Sequence, residues 1–145
     1  VSAKDLVLHL LALPSIRAGA GVGRVFEFGG EAVRALSIDE RATLTNMTAE
    51  LGGFTGIVEP DETTQQFLRE RRGLQIEIEP WMCSDPGAPY VEVIRINAGA
   101  LSPMVARPGD PGLPGSARVF DGGAVADSAT GNYLAVAESL LSPQA

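Results

Sequence analysis

The chain is short of the side chains on which most catalysis relies. Its 145 residues include one cysteine, Cys83, and one histidine, His9. A single cysteine excludes an internal disulfide and any cysteine-only metal cage built within one chain, and it fits a reducing compartment. With one histidine and no Ser-His-Asp order, a covalent-nucleophile mechanism has little to stand on. His9 reads as a partly buried or surface residue of the first helix. Positive charge is also in deficit: 11 Lys and Arg against 18 Asp and Glu leave a net charge of −7. That balance argues against nucleic acid or an anionic membrane as a default partner. No apolar run is long enough to span a bilayer. Aromatics are scarce, 6% against a hydrophobic fraction of 45%, so the core is expected to be aliphatic.

The length suits one domain with a single core. Seventeen glycines and ten prolines imply many tight turns. The opening VSAKDLVLHLLALP has an apolar centre but no basic leader or small-residue cleavage signal. It reads as a core helix of a cytoplasmic protein. Its start without methionine points to a trimmed piece, or equally to removal of an initiator methionine.

The chain is organised around Ser37 to Glu59, SIDERATLTNMTAELGGFTGIVE. Ser37 is expected to cap a helix, with Glu40 at the spacing of a capping box. Asp39 and Glu40 place negative charge where the helix dipole favours it. Gly52 and Gly53 are expected to end the helix, and Phe54 to Val58 then reads as a short apolar strand stopped by Pro60. Asn46 and Glu50 stand out. Four residues apart on a helix, they project from one face and can reach one point in space. The same spacing also suits a plain solvated face.

Around this centre, Ser2 to Leu13 reads as a capped helix stopped by Pro14. Gly19, Gly21 and Gly23 precede a strand at Arg24 to Phe28. A dinucleotide fingerprint needs the opposite order, strand before glycines and helix after, so the glycines read as a tight connection. Such turns can also present amides to an anion. Glu31 to Leu36 reads as a helical turn, and Asp61 is expected to cap a helix from Glu62 to Arg72, closed by Gly73. Leu74 to Glu79 and Tyr90 to Asn97 alternate like half-exposed strands. Between Met104 and Ser116 the chain reads as irregular. Ala117 to Phe120 reads as a last strand and Asn132 to Leu141 as a last helix. Helices and strands interleave, as in an α/β layer.

Several of these words occur together in one family. KDLVLHLLA, the run from Gly21 to Leu68, and SDPGAPYVEVIRINAGALSPMVARPGDPG from Ser84 resemble the aconitase superfamily, and within it the large subunit of 3-isopropylmalate dehydratase. The most specific words are Asn-Met-x-x-Glu at 46–50, Pro-Asp at 60–61 and Ser-Asp-x-Gly-Ala at 84–88. The resemblance covers residues 4 to about 112 and implies the second core domain of such an enzyme. The implied fold is α/β: a single three-layer α/β/α domain with a short mixed or parallel sheet. Residues 1–116 are its aconitase-like part, and 117–145 a divergent strand and helix packed on the same domain. The implied activity is that of a hydro-lyase acting on a small hydroxy-carboxylic acid in the cytoplasm. Glu50 matches the family glutamate that hydrogen-bonds the water or hydroxyl at the reacting centre. Asn46 matches the family asparagine that packs by its amide against a four-iron, four-sulfur cluster.

The chain departs from the family where that cluster is held. Three family cysteines, one in Gly-Ser-Cys-Thr and two in Cys-x-x-Cys, have no counterpart. Val125 stands where the first would fall in Asp121 to Asp127, and a valine offers iron no lone pair. No cofactor is therefore expected from this chain alone. A cluster would be present only if a partner chain carrying the remaining aconitase-type domains supplied it. Two other readings stay open: a module that binds a small carboxylate or another protein, and a cluster-independent acid–base isomerase or dehydratase using Glu50 or Asp61.

Overall fold

The structure, a computed structural model, describes residues 2–106 and 117–119. The expected helix at 132–141 lies outside them.

Helix α1 (Ala3–Ala12) opens on the predicted cap. The Ser2 hydroxyl accepts the Asp5 amide, and the Asp5 carboxylate returns the bond to the Ser2 amide. Its apolar face, including Leu6, Val7, Leu10 and Leu11, is buried. Pro14 stops it and begins a single turn, α2 (Pro14–Arg17). A glycine turn leads into β1 (Val25–Phe28), followed by α3 (Glu31–Arg34), α4 (Ile38–Asn46) and a 3-10 helix, Met47–Leu51. Then come β2 (Thr55–Val58) and α5 (Glu62–Arg72).

β1 and β2 run parallel in register, Val25 opposite Thr55 and Phe28 opposite Val58. Parallel strands need a crossover, and α3, α4 and the 3-10 helix provide it. This is an α/β domain with a short parallel sheet. Phe26, Phe28, Gly56 and Val58 share the inner face, where Phe28 is fully buried and stacks on Phe26 at 6.2 Å. Leu6, Leu10, Leu36 and Leu44 complete an aliphatic core, as the composition requires.

Two segments depart from expectation. Leu74–Glu79 and Tyr90–Asn97 have strand-like alternation, yet neither joins a ladder among the described residues. Alternation reports only which side chains are wet, and a strand also needs a partner edge. Residue 76 is instead held by a side chain, the Gln65 amide donating to the Ile76 carbonyl at 3.0 Å. Conversely, the stretch read as irregular contains β3 (Met104–Ala106), antiparallel to β4 (Ala117–Val119). The Met104 amide donates to Asp5 at 2.8 Å, tying β3 to α1.

Glycine fixes the central helix on the sheet. Gly52 takes φ +80°. Its amide bonds to the Ala49 carbonyl and that of Gly53 to Thr48, the pattern of a Schellman stop. A methyl at Gly56 would collide with the Thr48 hydroxyl and sit 2.8 Å from the Thr45 Cα. The Thr45 backbone and the buried Thr48 side chain cannot yield cheaply, so Gly56→Ala is expected to cost about 2–3 kcal/mol. Urea unfolding measures it, and a midpoint equal to wild type would deny the close contact.

Candidate functional site

α4 ends at Asn46, and the next five residues tighten into the 3-10 helix that carries Glu50. The expected single helical face is therefore corrected. Four residues separate two side chains by about 40° on an α-helix but by about 120° on a 3-10 helix. Asn46 and Glu50 are both exposed, and neither makes a side-chain hydrogen bond or ion pair among the described residues. Their backbone, by contrast, is firmly placed. Leu44, Thr48 and Leu51, which alternate with them, are buried against α1 and the sheet. Beside the end of this helix, Phe54 and Val22 are 83% and 69% exposed, so a polar pair stands next to an uncovered apolar rim.

Asp61 has a different job from the acid–base role considered for it. Its two oxygens take both terminal nitrogens of Arg41 at 2.8 and 2.7 Å, and one also accepts the Thr64 amide to cap α5. Arg41 is buried, and its remaining donors reach the Leu36 and Arg34 carbonyls. Burial alone would raise the Asp61 carboxyl, but the Arg41 bond and charge and the Thr64 and Thr63 amides hold it below its ordinary value. A carboxylate so engaged joins α4 to α5 and is a poor proton shuttle.

The glycine turn leaves only the Gly21 amide without a backbone acceptor among the described residues, too little to cradle an anion. The amides of Gly19, Ala20, Val22, Gly23 and Arg24 all donate to backbone carbonyls. Gly21 is needed for close approach, since a methyl there would meet the Leu51 carbonyl and the Phe26 ring. Burial lowers His9, as expected for a structural histidine in α1.

Sequence reasoning missed one polar cluster. Glu27, on β1, accepts the Ser84 hydroxyl and, at 2.7 Å, the Tyr90 hydroxyl. Glu59, just after β2, accepts the Ser84 amide at 2.8 Å. Burial and then Glu27 push the Tyr90 phenol up to about 12. Burial and then Glu59 raise the Cys83 thiol, which argues against a reactive thiolate. The missed signal was the acid inside Val-Phe-Glu-Phe, because a carboxylate in an apolar strand requires partners. Beside this cluster, between β1 and residues 89–94, lies an open cavity of about 550 Å³. Asn46 and Glu50 do not line it.

Among the described residues no three His, Cys, Asp or Glu side chains converge to hold a metal ion. A cluster bound by three thiolates does not fit a chain with one cysteine. Nor is any described helix long and apolar enough to cross a membrane.

Comparison with known proteins agrees with this architecture. The profile of the aconitase family (aconitate hydratase) matches residues 1–121. The 3-isopropylmalate dehydratase large subunit of Roseiflexus castenholzii (strain DSM 13941 / HLO8) is 40% identical over 121 residues, covering 78% of this chain and 25% of the relative. That of Solibacter usitatus (strain Ellin6076) is 39% identical, covering 78% and 26%. The chain thus spans about a quarter of the length of the curated relatives it matches. With the helix bearing Asn-Met-x-x-Glu, the parallel strand pair and a match over most of its residues, the chain belongs to the aconitase family.

Proposed function

We propose that this chain supplies one wall of an aconitase-type hydro-lyase acting in the cytoplasm on a small hydroxy-carboxylic acid, of the kind the names of its relatives describe. The carrying observation is the outward-facing pair, Asn46 and Glu50, on a helix whose buried side is locked in place. A carboxylate that is exposed and has no partner among the described residues can meet a substrate presented from another domain. On this reading Glu50 exchanges a proton with the hydroxyl that leaves or the water that enters. The Asn46 amide, turned away from Glu50 by the change of helical period, offers a hydrogen bond to a neighbouring part of the partner-held site. The iron–sulfur site, with the Lewis acidity it supplies when bound, belongs to the partner that carries the remaining aconitase-type domains. The exposed Phe54, Val22 and Ile57 provide apolar surface for that partner.

The test is reconstitution. The chain alone is expected to give no hydration or dehydration of 3-isopropylmalate. Co-expression with a polypeptide bearing the cysteine-containing and histidine-containing domains is expected to give a stoichiometric complex that turns it over. Failure of the two to associate, or equal turnover by the partner alone, would overturn the proposal.

A further inference from the structure

Residues 80–94 lie against β1 and the end of β2, and among the described residues they do not join the sheet. Their backbone bonds, such as Met82 to Glu79, Cys83 to Pro80 and Ala88 to Asp85, stay within the segment or reach the residue before it. The ends are fastened elsewhere, by the Gln65 bond to Ile76 upstream and by buried Ile96 and Ala98 downstream. Between those anchors, the described hydrogen bonds to the rest of the domain are three, and all end on carboxylates. Ser84 and Tyr90 donate their hydroxyls to the two oxygens of Glu27, and the Ser84 amide donates to Glu59 at 2.8 Å. The last part of the segment, Pro89 to Ile94, is also one side of the 550 Å³ cavity, with β1 opposite and Leu10 and Ile16 among its lining.

We propose that Glu27 is the latch of a strap: one carboxylate, gripping Ser84 and Tyr90 at once, holds residues 80–94 against β1 and so keeps the cavity walled on that side. The physical basis is an asymmetry of fastening. The core below the sheet is continuous aliphatic packing, whereas the strap exposes Trp81 and Val91 at 77% and 78% and buries no side chain fully. A segment with few buried contacts opens locally at a free energy well below that of global unfolding. Charge-assisted hydrogen bonds are the strong terms holding it closed. Opening the latch therefore frees the strap and widens the cavity while the core stays folded.

Cys83 is a built-in reporter, since it adjoins Ser84 and is the chain's only cysteine. The experiment is labelling of the full chain with an aromatic disulfide reagent under native conditions, alongside hydrogen exchange of the amides in 80–94. Glu27→Gln is expected to label about tenfold faster than wild type, the change that follows from weakening a charge-assisted bond. Tyr90→Phe keeps both carboxylates, and hence the thiol's electrostatic surroundings, and is expected to label severalfold faster. Leu44→Ala, a core truncation distant from the latch, is the reference for global destabilisation. Its labelling is expected to change little, although its urea midpoint falls furthest. The proposal is overturned if Tyr90→Phe labels and exchanges at the wild-type rate. It is equally overturned if the rates of all variants simply follow their global stabilities. Should Glu27→Gln fail to fold, Tyr90→Phe and Ser84→Ala decide the matter on the same readouts.

Discussion

Glu50→Gln is expected to lower the kcat of the reconstituted hydro-lyase by about 10²–10⁴-fold, the usual contribution of a positioned acid–base group. Glutamine keeps the shape and the hydrogen-bonding oxygen but can neither accept nor return a proton at neutral pH. The Michaelis constant is expected to change little, because the lost interaction matters only as the proton moves. Stability should stay within about 0.5 kcal/mol, as for an exposed residue with no partner among the described residues. Steady-state kinetics and a urea titration of the same preparation check both statements. Unchanged turnover would remove Glu50 from the reaction whatever the family likeness. Asn46→Ala, which loses one hydrogen bond but no proton carrier, is expected to do less harm.

The second large effect is structural. Asp61→Ala is expected to destabilise the chain by about 3–5 kcal/mol, because it strands a guanidinium that is 4% exposed. Part of that loss, about 1 kcal/mol, is the cap of α5. Asp61→Asn retains an oxygen for the Thr64 amide and should lose less. The sign of the pH dependence follows from the direction of the shift. The folded carboxyl titrates below its ordinary value of 3.8, so its contribution is complete above that value. It is lost as pH falls through the lower, folded value. Urea midpoints of wild type and Asp61→Asn measured from pH 6 downward should therefore converge below pH 4, which the lowered titration sets. A constant gap across that range would mean that the pair contributes through shape and not charge.

Much of the local structure was legible because it rests on neighbours in sequence. The Ser2 cap with Asp5, the Asp61 cap before α5, the glycine stops at Gly52 and Gly73 and the two parallel strands all appear where the residues put them. The errors share a cause. Leu74–Glu79 and Tyr90–Asn97 alternate correctly but have no paired edge, and β3 was overlooked because its partner lies across a proline-rich stretch. The single face drawn through Asn46 and Glu50 assumed one helical period, and the chain changes period between them. The double role of Asp61 was invisible because a cap is a local signal and its bond to Arg41 is not.

By itself, then, the sequence determined the helix caps and glycine stops, the aliphatic core, the family through the words around Asn46 and Glu50, and the lack of thiolates for a cluster. Caps, periodicity and composition depend on residues within a turn or two of one another, or on none at all. Only the tertiary structure decided that Asp61 is bound by a buried arginine and that all the glycine-turn amides but that of Gly21 are already engaged. It also decided that Glu27 gathers Ser84 and Tyr90 from 57 and 63 residues away. Those outcomes depend on which distant groups the packed core brings within hydrogen-bonding reach, and a hydrogen bond is felt only over about 3 Å.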